Sequence, residues 1–162
     1  MGVLIDTSPK PIVITTIKSL TGNNERQAIP IFRATGFLRI KRFTGVVTVN
    51  LGANVTQAGW QLNDGITQSD ITETAVGSDL SGLVVGSYMA KEGILTLPMT
   101  YFNNTISGVG DGSFPTFQVL SLPGTPTDIE FIYTTTETPT TGSILFLAEY
   151  EPLSSNAFLS LI

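Results

Sequence analysis

The chain contains no cysteine and no histidine in 162 residues. Without cysteine there is no disulfide framework, thiolate metal site or thiol nucleophile, and folding in a reducing cytosol is the expectation. Without histidine the commonest general base, the usual proton switch near neutrality and the most frequent zinc ligand are all missing. Charge is scarce too. Asp, Glu, Lys and Arg make up 13% of the chain, about half the usual share. No apolar run is long enough for a transmembrane helix. The opening MGVLIDTSPKP has neither the basic start nor the apolar stretch of a signal peptide. Asp6 stands where the myristoylation pattern wants Ser or Thr. The reading is of a chain made in the cytoplasm, with no signal peptide and no membrane as a partner.

What remains is polar without charge. There are 23 threonines, and mean hydropathy is positive. A surface with so few charges is poorly equipped to keep a protein soluble and monomeric, so coverage by partners is expected. At this length a single domain can bury roughly two thirds of its unfolded surface, so its core needs no staples.

Thr, Val, Ile and Phe fill short runs punctuated by Gly, Pro, Asn and Asp, the signature of strands and turns. Strands are expected at 12–18, 29–33, 37–43, 45–51, 58–62, 82–90, 93–102, 116–122, 129–135 and 143–150. Asn63-Asp64-Gly65, Asp111-Gly112 and Pro123-Gly124 are turn chemistry. One helix is expected at 67–76, with Ser69 as its cap and Asp70 and Glu73 near its positive end. TTTETPTT at 134–141 reads as an exposed loop. No internal repeat is present, which argues against propellers and β-helices. The fold class expected is all-β, a β-sandwich of jelly-roll-like form. The division expected is an extended N-terminal arm with one strand (1–28), a sandwich domain (29–151) and an apolar C-terminal docking tail (152–162).

The positive charge is concentrated at one end. Residues 1–42 hold seven cations against two acids, net +5, and the other 120 hold Lys91 against eleven acids, net −10. Half of all cations lie in FRATGFLRIKRF: Arg33, Arg39, Lys41 and Arg42. Three readings compete. The charges neutralise one another inside one fold or are solvated; or a basic arm lies on the acidic body of the next subunit, where complementary potentials fix register; or the cations, interleaved with Phe32, Phe37 and Phe43, meet nucleic acid. The acidic chain as a whole, pI about 4.5, argues against nucleic acid. The assembly reading makes Arg33, Arg39, Lys41 and Arg42 interface residues, together with Phe158, Leu159, Leu161 and Ile162 of the tail.

Motifs for chemistry are weak. LIDTS at 4–8 is close to the aspartyl-peptidase motif, but Ser8 replaces its glycine and too few residues precede Asp6 for the supporting hairpin. Asp64, Asp70, Glu73 and Asp79 form an acidic cluster that could supply paired carboxylates for glycoside hydrolysis or oxygen ligands for calcium. The spacing matches no calcium loop, GVGDGS at 108–113 misses the calcium repeat as well, and loop solvation is the better explanation. Phosphate loops, nucleophile elbows and dinucleotide fingerprints are absent, so no catalytic residue, metal ligand or cofactor is assigned. Asn54 and Asn103 match the glycosylation pattern, which carries little meaning without a signal peptide. Trp60, Tyr88, Tyr101 and Phe102 could form an aromatic platform for sugar rings, although aromatics in a sandwich usually belong to the core.

Thr/Gly-rich short strands, no Cys, no His, few charges, a Pro-containing arm (Pro9, Pro11) and an apolar C-terminus together resemble bacteriophage virion structural proteins in overall style. That resemblance implies a non-enzymatic capsid-associated, decoration or fibre/tail component, located in the virion and made in the host cytoplasm. It would assemble with copies of itself and other virion proteins through β-rich contacts, terminal arms and charge complementarity. The alternative is a β-sandwich adhesin module that binds a host-surface glycan or receptor.

Overall fold

A computed structural model of the chain describes residues 10–22, 25–72, 78–90, 100–102, 116–122, 124–136 and 141–162. The expectations for LIDTS, GVGDGS, Asn103, Glu73, Asp111-Gly112 and residues 137–140 lie outside the described residues. So do those for most of 93–102.

The described residues form strands and turns with no helix, and none is therefore long and apolar enough to cross a membrane. The strands are β1 (Ile12–Ser19), β2 (Arg26–Val49), β3 (Val55–Asn63), β4 (Gln68–Asp70), β5 (Tyr88–Ala90), β6 (Thr100–Phe102), β7 (Phe117–Ser121), β8 (Thr127–Thr135), β9 (Ser143–Pro152) and β10 (Phe158–Leu161). They make one antiparallel sheet, ordered β1-β9-β2-β8-β3-β4, with β5, β7 and β10 also on β2 and β6 on β5. β1, inside the span read as an arm, and β10, inside the span read as a tail, are both strands of this sheet.

β2 organises everything. Its 24 residues absorb three of the expected strands. One edge carries β5, β7 and β8 in succession, and the other carries β9 and then β10. All three ribbons break along one line. β2 breaks at Gly36, in the left-handed region at φ 73°. The β7–β8 ribbon breaks at the Leu122–Thr125 turn, and β9–β10 breaks over Leu153–Ala157, where Ala157 N–H donates to Ser154 C=O at 3.1 Å.

This line is a corner. Phe32 and Phe43 lie eleven residues apart on β2, so a straight strand would separate them by about 36 Å. Their ring centroids are 6.1 Å apart. The sheet is therefore folded over at the break, and its two halves face each other. Phe43 meets Trp60 of β3 edge-on at 4.9 Å, and Phe146 of β9 meets Phe131 of β8 at 5.1 Å. Around these rings pack Leu38, Ile40, Ile129, Tyr133, Ile144 and Ala148, all buried. The alternation of β9, with Ile144, Phe146, Ala148 and Tyr150 inward, is what a strand covered on one face requires.

Two local expectations are corrected. Residues 67–72 are not helical: Gln68–Asp70 pairs with Gln61–Asn63 as β4, and 71–72 is a bend. The turn before β4 explains this. Asn63 Oδ1 accepts from Gly65 N–H at 2.8 Å, and Asp64 Oδ1 accepts from Ile66 and Thr67 N–H at 2.9 and 2.6 Å, which sends the chain straight back. The strand expected over 82–90 is reduced to Tyr88–Ala90, because Leu83 N–H bonds Leu80 C=O at 3.2 Å and Ser87 N–H bonds Val84 C=O at 3.0 Å in consecutive turns.

Candidate functional site

Register brings the cations of β2 against acids from its two neighbours. Arg33 lies opposite Asp128 of β8, and Nε and Nη2 donate to the two carboxylate oxygens at 2.8 and 3.0 Å. This fork raises the pKa of Arg33, first through the hydrogen bonds and then through the charge of Asp128. Arg39 lies opposite Glu151 of β9 and donates to it at 3.4 Å, while Lys41 donates to the other oxygen of Glu151 at 3.1 Å. Arg42 lies opposite Glu149 in the same ladder. Arg33, Arg39 and Lys41, all read as interface residues, are thus ion-paired within the chain.

Arg39 and Lys41 also line a cleft of about 600 Å³, with Asp70 and Ser69 of β4 on one side and Gln118 of β7 on the other. Its apolar wall is Leu62, Ile71 and Phe117. Beside it, the outer layer of β3 and β8 carries a buried polar chain. Arg26 Nη2 donates to Gln61 Oε1 at 3.0 Å, and Gln61 Nε2 and Asn63 Nδ2 donate to the two oxygens of Glu130 at 2.5 and 3.0 Å. Glu130 is buried with both oxygens satisfied, as a buried carboxylate must be. Sequence reasoning passed over Glu130 and Gln61. The available signal was a single acid inside the apolar run Ile129–Tyr133.

The aromatic platform does not assemble around Trp60. Its ring is fully buried in the core between Phe43 and Phe131, so it offers no face to a ligand. Tyr88 is half-buried on β5 opposite Phe102, and Tyr101 stands opposite Met89. Of the acids read as a loop cluster, Asp64 has its pKa lowered by the N–H groups of Thr67 and Ile66, and Asp79 has its lowered by the hydroxyl and N–H of Ser81. Both hold turns. Among the described residues no three metal-ligating side chains converge.

The exposed apolar residues gather elsewhere. β1 is the outer strand beyond β9, and β10 lies beside it across the fold, where Lys18 Nζ donates to the Ile162 carbonyl. Leu159 is buried in the chain's own core. Ile12, Val13 and Ile17 of β1, with Phe158, Leu161 and Ile162, are each between 43 and 61% exposed. More than half of the large exposed hydrophobics among the described residues thus lie on two neighbouring strands and the residue that follows β10. No protein-family model, curated protein or solved structure matches the chain.

Proposed function

We propose that the protein is a non-enzymatic structural subunit of the virion type, a capsid-associated, decoration or fibre/tail component that works by contact with copies of itself and with other shell proteins. In this reading the folded-over sheet is a jelly-roll-like sandwich. The observation that carries it is the apolar margin formed by β1 and β10, because an unpaired strand edge with exposed Ile, Val, Phe and Leu is a ready template for another chain. The internal pairing of Arg33, Arg39 and Lys41 moves the attraction between subunits from charge to apolar contact.

Light scattering of the purified chain at low and high salt tests this. The expected result is an oligomer whose mass holds at both, since screening weakens exposed charge pairs and leaves apolar burial intact. A monomer at every concentration and salt would refute self-assembly.

A second reading has its own support in the cleft between β4 and β7, where Arg39, Lys41, Asp70, Ser69 and Gln118 offer converging donors and acceptors. Pockets with a few placed polar groups are where small ligands bind. A glycan-binding module would use it. Titration with neutral oligosaccharides, comparing the wild type with Asp70→Asn and Gln118→Ala, would detect a binding heat lost in both variants; no heat in the wild type sets this reading aside.

A further inference from the structure

We propose that β1 pairs antiparallel with β1 of a second copy, about a two-fold axis through Thr15, joining two sheets into one. The proposal rests on the assembly reading above and gives it a partner, a strand and a register.

The argument starts from hydrogen-bond parity. Leu20 N–H bonds Gly142 C=O at 2.9 Å, in the line of the β1–β9 ladder. In an antiparallel ladder, hydrogen-bonded and non-hydrogen-bonded pairs alternate. Residues 12, 14, 16 and 18 therefore turn their N–H and C=O toward β9. Val13, Thr15, Ile17 and Ser19 turn theirs outward, and no bond satisfies them among the described residues. Ser19 Oγ lies 3.2 Å from Ser143 Oγ, as the closer side chains of a non-hydrogen-bonded pair allow.

The middle of the strand has none of the devices that protect an edge, with Pro11 and Lys18 flanking it. Between Ile12 and Ile17 there is no charge, proline, glycine or bulge; Lys10 and Lys18 stand only at the ends. The outward-bonding residues are also self-complementary. With Thr15 facing Thr15 of the second copy, Val13 faces Ile17 and Ile17 faces Val13. All lie on one face, where β-branched and threonine pairs are favourable. Lys18 then faces Ile12, so no like charges meet.

The joined face continues an apolar row. Ile17 lies opposite Leu145, Leu145 opposite Val46, and Val46 opposite Tyr88, all half-buried or exposed on the outer side of the sheet. Across the two-fold this row runs into Val13 of the second copy. The ladder runs over seven residues, Ile12 to Lys18 in each copy, which falls in the class of small interfaces, below about 1,200 Å², so the dimer forms in concentrated samples.

Because the chain has no cysteine, cross-linking reads the register directly. Facing Cα atoms in a hydrogen-bonded pair are about 5.5 Å apart, inside the disulfide range. Oxidised Thr15→Cys should run as a dimer. Val13→Cys and Ile17→Cys should cross-link when mixed and not alone, since the same residue in the two copies is then displaced by about 13 Å. Thr15→Pro removes an N–H that points outward, so the β9 ladder survives while dimerisation weakens by at least about tenfold. Ile17→Lys, which adds a charge without touching the backbone, should weaken it too. Thr15→Cys that stays monomeric beside an oligomeric wild type, or Thr15→Pro and Ile17→Lys oligomers of unchanged mass, would overturn the pairing and leave assembly standing. A monomeric wild type overturns both.

Discussion

Replacing Gly36 by alanine tests the corner on which the fold turns. Two costs add. Gly36 sits at φ 73°, and a residue with a Cβ held in the left-handed region loses about 1–2 kcal/mol. The added Cβ would also lie 3.0 Å from Ala157 Cα and 3.1 Å from Ser154 Oγ. Ser154 Oγ accepts from Phe37 N–H at 3.2 Å, so pushing it aside forfeits a hydrogen bond worth about 1 kcal/mol. The sum is about 2–3 kcal/mol, a large fraction of the roughly 5–15 kcal/mol that holds such a domain. With a urea slope of about 2 kcal/mol/M, the unfolding midpoint falls by about 1–1.5 M. Gly65→Ala supplies the control. Gly65 also has positive φ, at 86°, but nothing lies within 4 Å of its Cβ position, so only the backbone cost applies. A Gly36→Ala midpoint equal to that of Gly65→Ala would refute the claim that the two broken ribbons are packed against each other at this line.

Three further outcomes are expected. Glu151→Gln removes the shared partner of Arg39 and Lys41, whose side chains are 40 and 35% exposed; the loss is about 1 kcal/mol in chemical denaturation by urea and shrinks as salt is added, whereas a salt-independent loss would mean that packing, not charge, is involved. Tyr133 donates to the Thr21 carbonyl and accepts from Thr21 N–H at 2.9 Å, and burial raises its pKa above the usual 10. Its neutral form is favoured in the fold, so this contribution is complete below pH 10 and is lost as pH rises through the folded value. Tyr133→Phe should flatten that alkaline fall in thermal melts, and an unchanged curve would show that other groups cause it. Trp60→Ala should cost about 3–5 kcal/mol, and wild-type Trp60 fluorescence should resist acrylamide until the chain unfolds.

The class of the fold was legible from composition because β-branched and aromatic residues in short alternating runs have few other uses. The element boundaries near β2 were not. Gly36 and Gly45 look like breaks between strands, yet one is a bend within a continuous strand and the other is core, its Cβ position 2.9 Å from Met89 Cγ. A glycine marks close approach as readily as a turn. β4 was hidden because three residues are too few for a period, and the Ser69, Asp70, Glu73 spacing imitates a helix start. The tail was legible as apolar. Its division into Leu159 inside and Phe158, Leu161 and Ile162 outside depends on pairing with a strand more than a hundred residues earlier.

The uneven charge along the chain has the same origin. A strand at the centre of a sheet has two neighbours, and here both come from the second half of the sequence: β8 and β9 flank β2. Cations placed on β2 can be answered only by acids on those later strands, and Asp128, Glu149 and Glu151 stand at the matching registers. Asymmetry in sequence is thus complementarity in space. It also specifies pairing, because a one-residue slip of β9 along β2 would remove Glu151 from Arg39 and turn its apolar face outward. A basic segment followed by an acidic remainder is therefore weak ground for inferring a charged partner when the basic segment is a central strand. For this chain the apolar edge of β1, where backbone groups remain outward, is the stronger ground.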